Sequence, residues 1–84
     1  MAEVIDYESG IPPYRQLTAI LRARIRDGRL KGRFPSDRTL SQEFGVATGT
    51  VRKAVAILRD DGYITTAHGW GSQVVAPGED MSGP

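Results

Sequence analysis

Residues Arg38–Asp61 read RTLSQEFGVATGTVRKAVAILRDD, and this stretch decides the fold. It contains two short helical patterns joined by a corner. In the first, Leu40 and Phe44 stand four residues apart and share a face. In the second, Val51, Val55 and Leu58 share a face, with Ala54 beside them. Gly45 follows the last apolar residue of the first pattern, where a left-handed residue closes a helix at no cost to glycine. Val46 is expected to plug the corner. This is the grammar of a helix-turn-helix, whose second helix keeps a small, polar first turn in Thr48, Gly49, Thr50, Arg52 and Lys53. Such a helix start fits a major groove.

Upstream, Ile11-Pro12-Pro13 stops any preceding helix and starts a new one, since proline is pre-set for a first helical position. From Pro13 to Asp27 the large apolar residues Tyr14, Leu17, Ile20, Leu21 and Ile25 form one stripe, and Gly28 ends the helix. Arg24 sits at the stripe's edge, where its stem can cover apolar surface while the charge stays in water. Arg22, Arg24, Arg26, Arg29, Lys31 and Arg33 crowd this helix end and the connection after it. Cations there are favoured by the helix dipole, and their alternation scatters them over several faces. Two or three at most are expected to reach a phosphate. Ser36 is a good N-cap for the next helix, with Asp37 in its first turn and Arg38 one residue on. A cation near the positive end of a helix is poorly placed in isolation, and a docked phosphate would be one reason to tolerate it.

At the start of the third helix, Ala47 cannot cap, so Thr48 is expected to take that role one residue later. Gly49 weakens a helix but removes a side chain where a backbone can press against DNA. Thr50 offers a hydroxyl and a methyl. Arg52 can bind a guanine edge through two hydrogen bonds or, alternatively, a phosphate. Gly62 closes that helix. Tyr63–Thr66 and Ser72–Val75 are β-prone, and Ala67-His68-Gly69-Trp70 with Gly71 form the tip of a hairpin, which after a helix-turn-helix reads as a wing. His68 at the tip can donate into a minor groove, and Gly69 lets the backbone follow. Trp70 packs back on the hairpin or lies against sugar and phosphate.

The chain of 84 residues is 39% hydrophobic, which supports one small core. Cysteine is absent, so there is neither a disulfide framework nor a cysteine-based metal site. His68 is the single histidine and lacks neighbours at ligand spacing. No nucleophile, acid–base pair, metal site or cofactor motif emerges, so an enzyme is not expected. No apolar run is long enough to span a membrane and no signal peptide precedes the fold, so a cytoplasmic protein is expected. Residues 1–10 hold Glu3, Asp6 and Glu8 without a base and are expected to form an extended, mobile arm. Residues 77–84 read as a flexible acidic tail. Between them, residues 11–76 carry eleven basic against five acidic side chains. A basic centre fits a polyanion partner or simply a soluble surface.

Taken together, these residues resemble the DNA-binding domain of the GntR family of bacterial transcription regulators. The carriers are Pro13-Tyr14-Arg15-Gln16-Leu17, Gly28-Arg29-Leu30, Pro35-Ser36-Asp37-Arg38, Gly45-Val46, Thr50-Val51-Arg52-Lys53-Ala54, Leu58, Gly62, and His68-Gly69 with Gly71. The resemblance implies a mainly α fold with a small β-hairpin, a winged helix-turn-helix of three helices plus a two-stranded wing. It implies a sequence-specific regulator, usually a repressor, that binds a pseudo-palindromic operator in double-stranded DNA as a homodimer. Residues 48–61 would enter the major groove and the wing, 63–75, the minor groove. The DNA-binding residues implied are Arg38, Thr48, Gly49, Thr50, Arg52, Lys53, His68 and Gly69. Departures from the family pattern bear on the operator. Ala47-Thr48 stands where the family commonly has Ser-Arg, Trp70 where it has a basic residue, and Gln73 where it has an aromatic one. The connection Leu30–Pro35 is also about two residues shorter than is usual. Most members continue into a ligand-sensing and dimerising domain. This chain stops eight residues after Ala76 and, taken as complete, is expected to hold no small-molecule effector site. The alternatives are a winged-helix protein-interaction module, which Ala47, Thr48 and Trp70 favour, and a non-specific DNA binder.

Overall fold

The structure is a computed structural model and describes residues 3–67 and 71–75. The elements run α1 (Pro13–Arg26), α2 (Asp37–Phe44), α3 (Thr48–Asp60), β1 (Ile64–Ala67) and β2 (Gly71–Val74). The two strands pair antiparallel in one sheet, with Ile64 opposite Val74 and Ala67 opposite Gly71. This is the expected winged helix-turn-helix. His68, Gly69, Trp70 and residues 77–84, for which a wing contact and a flexible tail are expected, lie outside the described residues.

One apolar cluster organises the domain. α1 supplies Leu17, Leu21 and Ile25, α2 supplies Leu40 and Phe44, and α3 supplies Val51, Ala54, Val55 and Leu58. Phe34, Val46 and Ile64 close it from the connections and the first strand. Leu17, Leu21, Leu40, Val51 and Leu58 are fully buried, each leucine worth about 1.5–3 kcal/mol of transfer free energy. Both α1 and α2 pack on α3, so the rotation of α3 about its axis is set from two sides.

The helix ends carry most of the local logic. Ser36 Oγ accepts from Thr39 N–H at 3.1 Å, the expected cap of α2. Gly45 takes φ 67° at the other end, and its N–H donates to Ser41 O at 2.9 Å. Val46 is buried in the corner, and its carbonyl accepts from the Ser41 hydroxyl. At the end of α3, Gly62 N–H donates to Arg59 O at 3.1 Å and Tyr63 N–H to Leu58 O at 2.9 Å. That paired closure is a Schellman motif. It commits the Tyr63 amide to the helix, so β1 begins at Ile64, one residue later than the β-propensity of Tyr63 predicts.

Two expectations are corrected. Thr48 is not the cap of α3. The capping position is Ala47, with extended backbone and no side-chain hydrogen bond. The Ala47 carbonyl already accepts from Thr50 N–H at 3.0 Å and Val51 N–H at 3.2 Å, which places Thr48 inside the first turn. The short corner leaves no room to delay the helix, because Val46 and Val51 are both anchored in the core. Nor do residues 3–10 stand clear of the domain. Glu3 Oε2 accepts from Arg29 at 2.7 Å and Glu3 Oε1 from Arg24 at 3.0 Å. Asp6 N–H donates to Gln16 Oε1 at 2.8 Å, and the Tyr7 hydroxyl donates to Gly45 O at 2.8 Å. Glu3 meets Arg24 and Arg29 at the cationic end of α1, and opposite charge holds the chain down there.

Candidate nucleic-acid interface

The inward residues of α3 fix which residues face out. With Val51, Ala54, Val55 and Leu58 in the core, Thr48, Gly49, Arg52 and Lys53 are exposed and Thr50 is half-buried. The first turn therefore presents a small, polar surface, with the Thr50 side chain partly occupied by the fold. A Cβ placed on Gly49 meets nothing within 4 Å. Neither packing nor backbone conformation requires glycine there, and the surface is left open for close approach from outside.

The Arg52 side chain is 72% exposed, and its Nε donates to Asp37 Oδ2 at 3.3 Å. Asp37 is the first residue of α2, so this contact ties the start of one helix to the first turns of the next. An ion pair this exposed contributes at most about 1 kcal/mol. Its effect is geometric: with Nε occupied, the two terminal nitrogens of the guanidinium remain as a pair of outward donors. Arg38 lies beside Asp37, exposed in the first turn of α2, and has no ion pair among the described residues. Lys53 is drawn the other way. Its Nζ lies 4.2 Å from the centre of the Tyr14 ring, at the junction of α1 and α3.

The structure thus brings Arg38, Thr48, Gly49, Thr50 and Arg52 to one end of the helix-turn-helix, and places Lys53 at its flank. Spacing alone does not reveal that Asp37 meets Arg52, fifteen residues away. The signal that was available is the acid beside a helix cap, facing the next helix across a tight corner. Arg59 also shares the Arg52 face, seven residues on, and lines the cleft between α2, α3 and β2. Helical period exposes that relation, although a lone cation in a last turn reads first as a dipole partner.

Three cations of the basic run around the end of α1 are paired with carboxylates. Arg22 pairs with Asp61 at 3.5 Å, Arg24 with Glu3 and Glu43 at 3.0 Å each, and Arg29 with Asp27 at 2.8 Å as well as Glu3. Arg24 also lies over the Phe44 ring at 5.1 Å, so its head is held in a charge cluster rather than left in water. Burial disfavours its charge, but the hydrogen bonds it donates to Glu43 and Glu3 outweigh this and raise its pKa. The Arg29 side chain, with Arg24 assisting, holds Glu3 below its ordinary pKa despite the opposing effect of burial.

Residues 13–74 match the family described as "Bacterial regulatory proteins, gntR family". The chain belongs to the GntR family. It is 33% identical over 75 residues to the HTH-type transcriptional repressor NagR of Bacillus subtilis, covering 87% of this chain and 31% of NagR. It is 36% identical over 73 residues to the probable rhizopine catabolism regulatory protein MocR of Rhizobium meliloti, covering 84% of this chain and 15% of MocR. The chain thus spans a third or less of these curated relatives. Among solved structures, it is similar to YtrA from Sulfolobus acidocaldarius, a GntR-family transcription factor. That match has a TM-score of 0.74 and 36% identity, and covers 83% of this chain and 76% of YtrA. It is also similar to the AraR DNA-binding domain in complex with operator ORX1, with a TM-score of 0.78 and 27% identity, covering 86% of this chain and 94% of that one. No helix among the described residues is long and apolar enough to cross a membrane.

Proposed function

We infer that this GntR domain is the sequence-reading module of a transcription regulator, placing the start of α3 in the major groove of double-stranded DNA and the wing in the adjacent minor groove. The observation that carries this reading is the polar outer face at the start of α3, where Arg52 stands exposed on the Asp37 carboxylate beside Arg38. Thr48, Gly49 and Thr50 form the close contact surface, Arg52 reads a guanine edge, and Arg38 and Lys53 hold the backbone. His68 and Gly69, which follow β1 and precede β2 in the sequence, are proposed for the wing contact. The operator complex of the similar AraR domain and the repressor description of NagR support DNA binding and repression. The operator is a pseudo-palindrome read by two copies of the domain.

Selection from a random duplex library at near-physiological salt tests this. The expected result is an enriched pseudo-palindrome. Arg52→Ala is expected to lose about 1–3 kcal/mol of discrimination at one base pair of each half-site. An enriched site that Arg52→Ala binds with unchanged preference would sink the assignment of Arg52. Binding without enrichment, disappearing as salt rises, would mean phosphate-driven coating without base choice.

A further inference from the structure

A protein that puts a helix in one groove and a wing in the next must straddle the phosphodiester strand separating the two. In this fold the space between those two parts is a cleft. One wall is α3, through Arg52 and Arg59; another is the start of α2, through Asp37. The third is the beginning of β2, Gly71 and Ser72, with Arg33 at the connection that bridges to Gln73. Among the described residues, three guanidinium groups and one carboxylate therefore line it, and that carboxylate is engaged by Arg52. Arg59 is exposed, and no carboxylate pairs with it among the described residues.

We propose that this cleft seats the DNA backbone between the two grooves, and that Arg59 is its phosphate-binding cation, an inference that rests on the DNA-reading function above. The geometry separates two jobs along one helix face. Arg52, near the start of α3, is oriented by Asp37 and has its terminal nitrogens free for a base edge. Arg59, about two turns further on, is where the helix leaves the major groove and the backbone crosses toward the wing. A contact of this kind adds affinity at every sequence and carries no base choice. Ser36 and Asp37 turn the positive end of α2 onto the same cleft, which favours an anion there without being needed for the Arg59 contact. Arg22, Arg24 and Arg29 are committed to carboxylates, which sets Arg59 apart from them as a cation open to an incoming anion.

The test is the salt dependence of duplex binding by the full chain, with the sequence selected by the wild type as probe. Arg59→Ala is expected to weaken binding and to reduce the slope of log affinity against log salt by about 1. The order of preference among selected sequences is expected to stay unchanged. Arg59→Gln should behave like Arg59→Ala, and Arg59→Lys should restore the slope, because charge is what the contact needs. A role confined to the helix end would lower the melting midpoint of Arg59→Ala while leaving the slope at its wild-type value, and that result overturns the inference. An altered sequence preference in Arg59→Ala also overturns it. Wild type that binds no duplex removes the functional reading and this inference with it, whereas wild-type binding with an unchanged Arg59→Ala slope removes this inference alone.

Discussion

At the residue scale, the start of α3 holds two choices that cost helix stability. Ala47 occupies the cap position and offers no acceptor to the free amides of the first turn. Gly49 sits in that turn with open space where a side chain would go. Neither is demanded by the core. Ala47→Ser is therefore expected to stabilise the domain by about 0.5–2 kcal/mol, read as a higher denaturation midpoint with an unchanged denaturant slope. A midpoint at or below that of the wild type would mean that the Ala47 backbone cannot direct a side chain onto the helix. Gly49→Ala is expected to raise stability by up to about 1 kcal/mol, since its backbone needs no positive φ. The same methyl should weaken duplex binding if Gly49 is where the helix start comes closest to DNA. Higher stability with undiminished affinity would show that the closest approach lies elsewhere. Both substitutions ask whether stability has been given up at a working surface.

At the element scale, the fold was legible because its elements are short and separately punctuated. Apolar spacing located all three helices, and the glycines at 28, 45 and 62 take positive φ at their ends. The ends misread are those where tertiary packing overrode local chemistry. Thr48 is the better cap by composition, yet Val46 and Val51 set the phase of the corner and left the cap to Ala47. Tyr63 is the better strand former, yet its amide closes α3. The candidate site was legible to the same degree. Helical period gives the exposed face of α3 directly, because it is the complement of the buried one. The Asp37–Arg52 pair and the cleft reaching Arg59 were not, because both depend on how α2 and the wing pack against α3. The docking of residues 3–10 was hidden for a different reason. That segment has no periodicity to read, and its order comes from ion pairs and hydrogen bonds to distant residues.

At the scale of the whole molecule, the formal excess of positive charge is not spread evenly. Glu3, Asp27, Glu43 and Asp61 bind Arg22, Arg24 and Arg29 around α1, whereas among the described residues Asp37 is the one carboxylate lining the cleft beside α3. Carboxylates thus offset part of the positive charge around α1, while the cleft beside α3 keeps more cations than carboxylates among the described residues, an asymmetry that favours a polyanion at the cleft. The same arrangement gives stability an acid limit. Glu3 lies below its ordinary value of 4.5, chiefly through the Arg29 side chain, and Asp27 below its ordinary 3.8, chiefly through the Arg29 backbone N–H. A carboxylate depressed in the folded state stabilises fully above its unfolded pKa, and that contribution is lost as pH falls through the folded pKa. The thermal midpoint of the wild type is therefore expected to fall as pH is lowered through and below these ordinary carboxylate values. Glu3→Gln keeps the shape and removes the charge, so its midpoint should start lower at neutral pH and decline less. The two curves should converge once Glu3 is protonated in the wild type, because both proteins then lack the tie to Arg24 and Arg29. Parallel curves across the whole range would show that the Glu3 charge does not hold residues 3–10 to the domain.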